Sequence, residues 1–126
     1  MMIIGARKRE QLIEVGFWAP FDSAERIAQG LTRVFLGKAP YPEAALCINR
    51  KWSTTDEHKA VLDYLSKGQL MPNGEFGFST CRICAKHNGS TEFSDGVYVW
   101  PEGFEHYIRD HAVKPPNADF IRWATR

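Results

Sequence analysis

Hydrophobic positions recur at helical spacing in the first half of the chain and alternate over short runs in the second. In residues 6–15, ARKREQLIEV, Leu12 and Ile13 face inward with Val15 close by, which predicts a short helix closed by Gly16. GFWAPF then reads as an aromatic loop packed on the core. Asp22 with Glu25 makes a capping-box pattern ahead of Ile27, Leu31, Val34 and Phe35, which predicts a helix over 23–36 stopped by Gly37. Two prolines in KAPYPEAA forbid regular structure there. Thr54 with Glu57 repeats the capping pattern ahead of Val61, Leu62, Tyr64 and Leu65, and predicts a helix over 55–67 ending at Gly68.

Beyond Gly68 the period changes. QLMP, the NG pair at 73–74 and EFGFS read as two short strands around a turn. TEF, SDG and VYVW read as a second hairpin, after the turn HNGS. Pro101 suits the first turn of a helix, where its missing N–H costs nothing, and Glu102 and Glu105 complement the helix dipole. That helix runs to residue 112, and Asn117 is positioned to cap a last one, ADFIRWAT. The predicted fold class is α+β: a helical N-terminal half with a C-terminal ββ-ββ-α unit. The chain reads as a single domain, 1–126, with a helical part (1–68), a hairpin-helix unit (69–113) and a C-terminal tail helix (114–126).

Charge alters this picture only locally. The formal net charge is +1, so no global pull toward DNA or an anionic membrane is expected. Residues 1–68 hold ten Lys/Arg against eight Asp/Glu, residues 69–113 three against six, and residues 114–126 three against one. The hairpin-helix unit is the acidic one. No apolar run reaches transmembrane length, and MMIIGARKREQ places its apolar residues before its basic ones, unlike a secretory signal. A cytoplasmic protein without a membrane partner is expected. In a reducing compartment a C-x-x-C pair among three cysteines reads as metal or redox chemistry.

The pair is Cys81-x2-Cys84; after 21 residues comes His106-x4-His111. Two thiolates and two imidazoles satisfy the tetrahedral preference of Zn2+. The spacer exceeds the usual ~12–15 residues, and the second hairpin absorbs the excess. The helix adds an angular constraint, because residues five apart on an ideal helix diverge by about 140°. Phe104, Tyr107, Ile108 and His111 share a face that His106 does not. Both histidines reach one ion if the helix loosens near His111 or ends before it, and Val113 and Pro115 favour an early end. His87 is the substitute ligand. Four protein ligands leave no open position, which marks a structural site that contributes folding energy and ties the short helix to the cysteine hairpin.

Other chemistries compete for the same residues. His111 as a core histidine and His106 as a surface one is the plain alternative. A redox C-x-x-C sits at a helix N-terminus, whereas AKHNGS after this one reads as a turn. Glu92, Asp95, Glu102 and Glu105 offer carboxylate pairs, which turns and capping explain as well. Cys47 reads as an inert buried thiol and His58 as an exposed residue in a first helical turn. Trp18, Trp52, Trp100 and Trp123 read as core and lid.

Partner classes follow from these assignments. PEGFEHYIRDH carries one Arg against three acids, so phosphate would repel it, unlike a DNA-reading zinc helix. Arg7, Lys8, Arg9, Arg50 and Lys51 could form a separate basic face. Phe17, Trp18, Trp52 and Phe76 lie off the periodic helix faces and are candidates for a protein-contact surface, with completion of the core as the favoured alternative. The expected function is a non-enzymatic domain that binds another protein, with nucleic-acid binding through the N-terminal face as the alternative and a zinc-dependent enzyme as a third.

Residues 78–113, from CRIC through NGSTEFSDGVYVWPEGFEHYIRDHAV, with LDYLSKG upstream, resemble a set of small uncharacterised bacterial proteins with the outline CRxC…NGxxExxDGxYVWPEGxxHYxxxH. The resemblance implies a bacterial, cytosolic protein and covers roughly the last half of the chain. Those proteins carry Gly after the second cysteine, where this chain has Ala85. The order C-x-x-C, Asp-Gly, Trp, helix with His is also similar to the zinc module of inhibitor-of-apoptosis repeats. There the last ligand is a cysteine beyond the helix, a place that His111 would take here.

Overall fold

A computed structural model describes residues 8–19, 41–72 and 79–126. Among them are a four-stranded sheet and three α-helices, a mixed α/β arrangement. The strands are β1 (Ile13–Glu14), β2 (Gln69–Leu70), β3 (Glu92–Ser94) and β4 (Tyr98–Pro101), in the order β1-β4-β3-β2. Tyr98, Val99 and Trp100 of β4 are all buried. Successive strand residues face opposite sides, so β4 is covered on both faces. The hairpin expected from TEF-SDG-VYVW is present, with Phe93 opposite Trp100 and Ser94 opposite Val99. Asp95 closes its turn by accepting from the backbone N–H groups of Val97 and Tyr98, both at 2.9 Å, while Gly96 takes φ 97°.

The helices are α1 (Asp56–Ser66), α2 (Phe104–His111) and α3 (Ala118–Ala124). Each turns an apolar stripe inward: Val61 and Leu65 from α1, Phe104, Tyr107 and Ile108 from α2, Phe120 and Ile121 from α3. Phe120 lies at the centre, with its ring 5.1 Å from Tyr98, 5.7 Å from Tyr64 and 5.8 Å from Phe104. Asp95 fastens this core to the hairpin, because its carboxylate also accepts from the Tyr64 hydroxyl and from Trp123 Nε1 at 2.8 Å. Burial disfavours the Asp95 charge, but the bonds from Tyr64, Tyr98, Trp123 and Val97 outweigh it and hold its pKa below the usual carboxylate value.

Several expected elements are corrected. The helix over 6–15 is not formed in the described part: Arg9–Gln11 make one 3-10 turn and Ile13–Glu14 pair in parallel with β4. The apolar stripe there is only two residues wide, and the edge of β4 offers stronger satisfaction. Ile13 and Val15 donate to Val97 and Val99 at 2.9 and 3.0 Å. The N-terminal half is therefore not wholly helical. Gly16 does not stop a helix; it takes φ +82° where a Cβ would lie 2.4 Å from Phe104 Cγ. Gln69–Leu70 of the expected QLMP strand form β2, which pairs antiparallel with β3, while its expected partner EFGFS lies, save Ser79, outside the described residues. Thr55, not Thr54, caps α1, accepting from His58 N, and Glu57 takes the Trp52 indole at 2.7 Å. Pro101 ends β4 and does not start α2. Asn117 holds the N-cap position of α3 without a side-chain capping bond. The helix over 23–36, the strand over 75–79 (save Ser79) and Phe76 lie outside the described residues. No helix among the described residues is long and apolar enough to cross a membrane.

Glu92 shows what pulls the N-terminal segment into the sheet. Its side chain is 2% exposed, and Arg9 meets it with two parallel bonds, Nε–Oε1 at 2.9 Å and Nη2–Oε2 at 2.8 Å. Arg9 also donates to Glu14 at 2.9 Å, and the Tyr41 hydroxyl donates to the other Glu14 oxygen at 2.9 Å. Breaking a buried pair strands a charge. Arg9→Ala is expected to cost about 3 kcal/mol in chemical denaturation, well above the ~0–1 kcal/mol of a surface pair. Acid acts through Asp95. Its folded pKa is depressed, so its contribution is complete above the unfolded value near ~3.9 and is lost as pH falls through the folded value. Asp95→Asn should flatten that part of the acid limb of a stability–pH curve.

Candidate metal centre

The cysteine pair sits at the tip of a short hairpin. The Ser79 amide donates to Gly89 O at 2.7 Å, the Asn88 amide donates to Ser79 O at 3.1 Å, and Thr80 pairs with His87. Two further bonds, Cys81 N to Lys86 O and Ala85 N to Cys81 O, both 2.9 Å, wind the tip into a tight turn. The winding points the Ile83 and Cys84 amides at Cys81 Sγ, at 3.4 and 3.5 Å. Such donors stabilise a thiolate. The turn closes only because Ala85 adopts φ 64°, the left-handed region that glycine takes more easily.

Helix α2 supplies the other half. Its buried face anchors it, and the Tyr107 hydroxyl accepts from Arg82 N at 2.7 Å, pinning the cysteine turn against the helix. Burial first, then the Cys81 sulfur, push that hydroxyl up to about 12, with the Arg82 amide acting the other way. His106 Nε2 lies 3.4 Å from Cys84 Sγ and 3.2 Å from His111 Nε2. The ligand atoms of Cys81, Cys84, His106 and His111 all fall within 4.8 Å of one another. Cys81 is buried and the other three are half-buried.

The angular conflict between the histidines is resolved by the helix end. The helix persists through His111 and stops at once, because Ala112 turns left-handed at φ 55°. His111 is thus the last helical residue, and the two imidazoles close the remaining angle, meeting edge to face at 86° with centroids 4.8 Å apart. His106 Nδ1 is 2.9 Å from Asp110 Oδ2. With that nitrogen holding the proton, Nε2 presents its lone pair to the cluster. Burial and the neighbouring His106 hold the His111 pKa below its ordinary value, which favours the neutral ligand form. Two thiols and two imidazoles converging in this way can hold a metal ion.

The remaining candidates separate cleanly from this group. His87 is exposed and belongs to the stem of the hairpin, outside the four. His58 is half-buried, not exposed: its Nε2 lies 3.1 Å from Ile108 O and its ring is edge-on to Trp52. It joins α1 to α2. Glu92 is taken by Arg9 and Asp95 by the hairpin turn, while Glu102 accepts from Ser90 N at 3.0 Å and Thr91 Oγ1 at 3.1 Å. Cys47 is half-buried, with its thiol pKa raised by burial, and stands apart from the cluster. Of the proposed basic face, Arg9 is committed to Glu92 and Glu14, Arg7 lies outside the described residues, and Lys8, Arg50 and Lys51 are exposed. Trp18 and Trp52 are buried, so of the candidate contact aromatics only Phe17 is partly exposed among the described residues.

Asp110 and Tyr107 carry site geometry that reading from the ligand motif missed. The signal was available for Asp110, since an acid four residues after a helical His shares its face. Comparison with known protein families, characterised proteins and solved structures finds no match to this chain.

Two substitutions probe the scaffold. Asp110→Asn is expected to weaken metal affinity about 10–100-fold in a competitive chelator titration, with secondary structure unchanged. Ala85→Gly relieves the left-handed strain and should raise stability by up to about 1 kcal/mol, after the greater unfolded freedom of glycine is subtracted.

Proposed function

We propose that Cys81, Cys84, His106 and His111 hold a structural zinc ion, and that the chain is a small non-enzymatic domain whose task is to bind another protein. The observation that carries the metal reading is the closure of the cluster from two separate elements. Bonds of about 2.0–2.3 Å to a tetrahedral ion give ligand–ligand edges of about 3.3–3.8 Å. The 3.2 Å and 3.4 Å separations at His106 lie beside that range, and the full spread of 4.8 Å needs only a small inward movement of side chains. Four protein donors fill a tetrahedron, so no position is left for water or substrate, and the ion's contribution is to folding. Sulfur and imidazole together favour zinc over the oxygen-seeking magnesium or calcium.

The outline CRxC…NGxxExxDGxYVWPEGxxHYxxxH spans residues that build the site. The positions of that outline have structural tasks here: Glu92 receives Arg9, Asp95 closes the hairpin, Glu102 binds the 90–91 backbone and side chain, and the two histidines meet the cysteines. The acidic surface of α2 and the commitment of Arg9 to an internal ion pair weigh against a nucleic-acid face there. For a protein partner we assign the cleft beside Leu46, whose apolar side chain is 81% accessible, with half-buried Ile48 next to it.

Metal analysis of the purified protein tests the central claim. One zinc per chain is expected, lost in Cys81→Ser and in His111→Ala together with thermal stability, and kept in His87→Ala. Zinc lost in the Cys81 variant but retained in the His111 variant would indicate an open site and return the enzyme reading. A protein that binds no metal would remove the structural-zinc reading altogether.

A further inference from the structure

The two sulfurs of the cluster differ in their surroundings. Cys81 is 0% exposed, and its Sγ accepts from the Ile83 and Cys84 amides at 3.4 and 3.5 Å. The Tyr107 hydroxyl stands beside the same sulfur. Cys84 is half-buried, and among the described residues the one polar atom within hydrogen-bonding distance of its Sγ is His106 Nε2, at 3.4 Å. That flank of the cluster reaches solvent, since the His106 side chain is 20% exposed. The third thiol, Cys47, lies outside the cluster, and burial raises its pKa.

These differences set an order of reactivity. The thiolate, not the thiol, attacks an electrophile, and the reagent has to reach it. Bound to a metal, both cluster sulfurs are deprotonated at neutral pH. The hydrogen bonds that stabilise the Cys81 thiolate lower its nucleophilicity, and its burial closes it to reagents. Cys84 lacks the amide donors and belongs to a residue that solvent touches. Cys47 is held in the unreactive thiol form.

We infer that Cys84 Sγ is a modification site for hydrogen peroxide, with Cys81 as the thiolate that resolves the product. In the first step the Cys84 thiolate attacks one peroxide oxygen. An S–O bond forms, the O–O bond breaks, and hydroxide leaves and takes a proton from solvent. Cys84 is then a sulfenic acid. Cys81 Sγ lies within 4.8 Å of Cys84 Sγ and attacks it, so that an S–S bond forms and a second hydroxide leaves. Two electrons pass from the sulfurs to the peroxide oxygens, and one peroxide with two protons ends as two waters. A disulfide supplies no thiolate donors, so the ion is released. The new bond lies inside one hairpin turn, whereas the ion joined that turn to α2. A cross-link between two elements is exchanged for a very short loop, which returns little of the lost stability. The release step rests on the zinc reading proposed above, while the order of attack rests on burial and hydrogen bonding at the two sulfurs.

Zinc content of the purified full-length protein is measured first. Substoichiometric N-ethylmaleimide, mapped by tandem mass spectrometry, then reads the order of attack. Cys84 is expected to react at least about tenfold faster than Cys81 or Cys47. Hydrogen peroxide added to the zinc-loaded protein should release one zinc per peroxide consumed, followed with a colorimetric chelator. Release should keep step with formation of a Cys81–Cys84 disulfide and a fall in melting temperature, and dimedone should trap the sulfenic acid on Cys84. A reductant with added zinc should restore the melting temperature, and Cys47→Ser should respond as the unaltered chain does. The assignment is overturned by reaction of Cys81 or Cys47 ahead of Cys84, by dimedone on Cys81, by a response lost in Cys47→Ser, or by survival of zinc and both thiols under peroxide that fully oxidises free cysteine. A protein that carries no zinc removes the metal reading, and the maleimide order in that protein still decides for or against Cys84.

Discussion

A carboxylate buried within a sheet strand has to be answered by a cation, and the answer to Glu92 organises this molecule. Arg9 comes from the far end of the chain to make a bidentate pair with it. To reach Glu92, the segment that follows Arg9 must run beside β4, and its backbone completes the sheet edge there. Glu14 then shares the same guanidinium and takes the Tyr41 hydroxyl, so a third stretch of chain is drawn in. One desolvated charge thereby dictates a strand, its direction and its neighbour. An apolar residue at 92 would bury as easily but would leave the N-terminal segment without a fixed register.

The cysteine–histidine cluster is built by a related logic. The hairpin tip is held by backbone bonds and by Tyr107, and α2 is held by its apolar face, so each half of the cluster is positioned before the ligands meet. Two left-handed alanines, Ala85 and Ala112, permit that meeting: one closes the cysteine turn, the other ends the helix directly after His111. Both are strained placements for a residue with a Cβ, and both lie next to a ligand. Strain collected around a functional cluster is stabilised by the surrounding structure.

Much of the cluster was legible in the sequence, and much of the topology was not. The grouping of Cys81, Cys84, His106 and His111, the hairpin around Asp95-Gly96 and the helices over 56–66, 104–111 and 118–124 follow from local chemistry: spacing, turn residues and apolar period. The failures share a cause. Ile13–Glu14 became a strand because of a partner far away in the chain, β4, which no window of ten residues contains. His58 was misread for the same reason, since its hydrogen-bond partner is the distant Ile108 carbonyl. Arg9 looked like one member of a solvated basic run, and only the distant Glu92 gives it a different role.

The parallel pairing of β1 with β4 also has a temporal side. Ile13 lies opposite Tyr98, so the two partners are separated by 98 − 13 = 85 residues of chain. During synthesis β1 emerges long before its neighbour exists, and Arg9 waits as long for Glu92. Closing so large a loop carries an entropic cost that local helices do not face, and sheets built this way form late. The helices and the hairpin can assemble early from nearby residues, while the N-terminal strand joins as the final piece. Until it does, β4 exposes an unpaired edge, and the nascent protein passes through a stage in which association with other chains competes with its own completion.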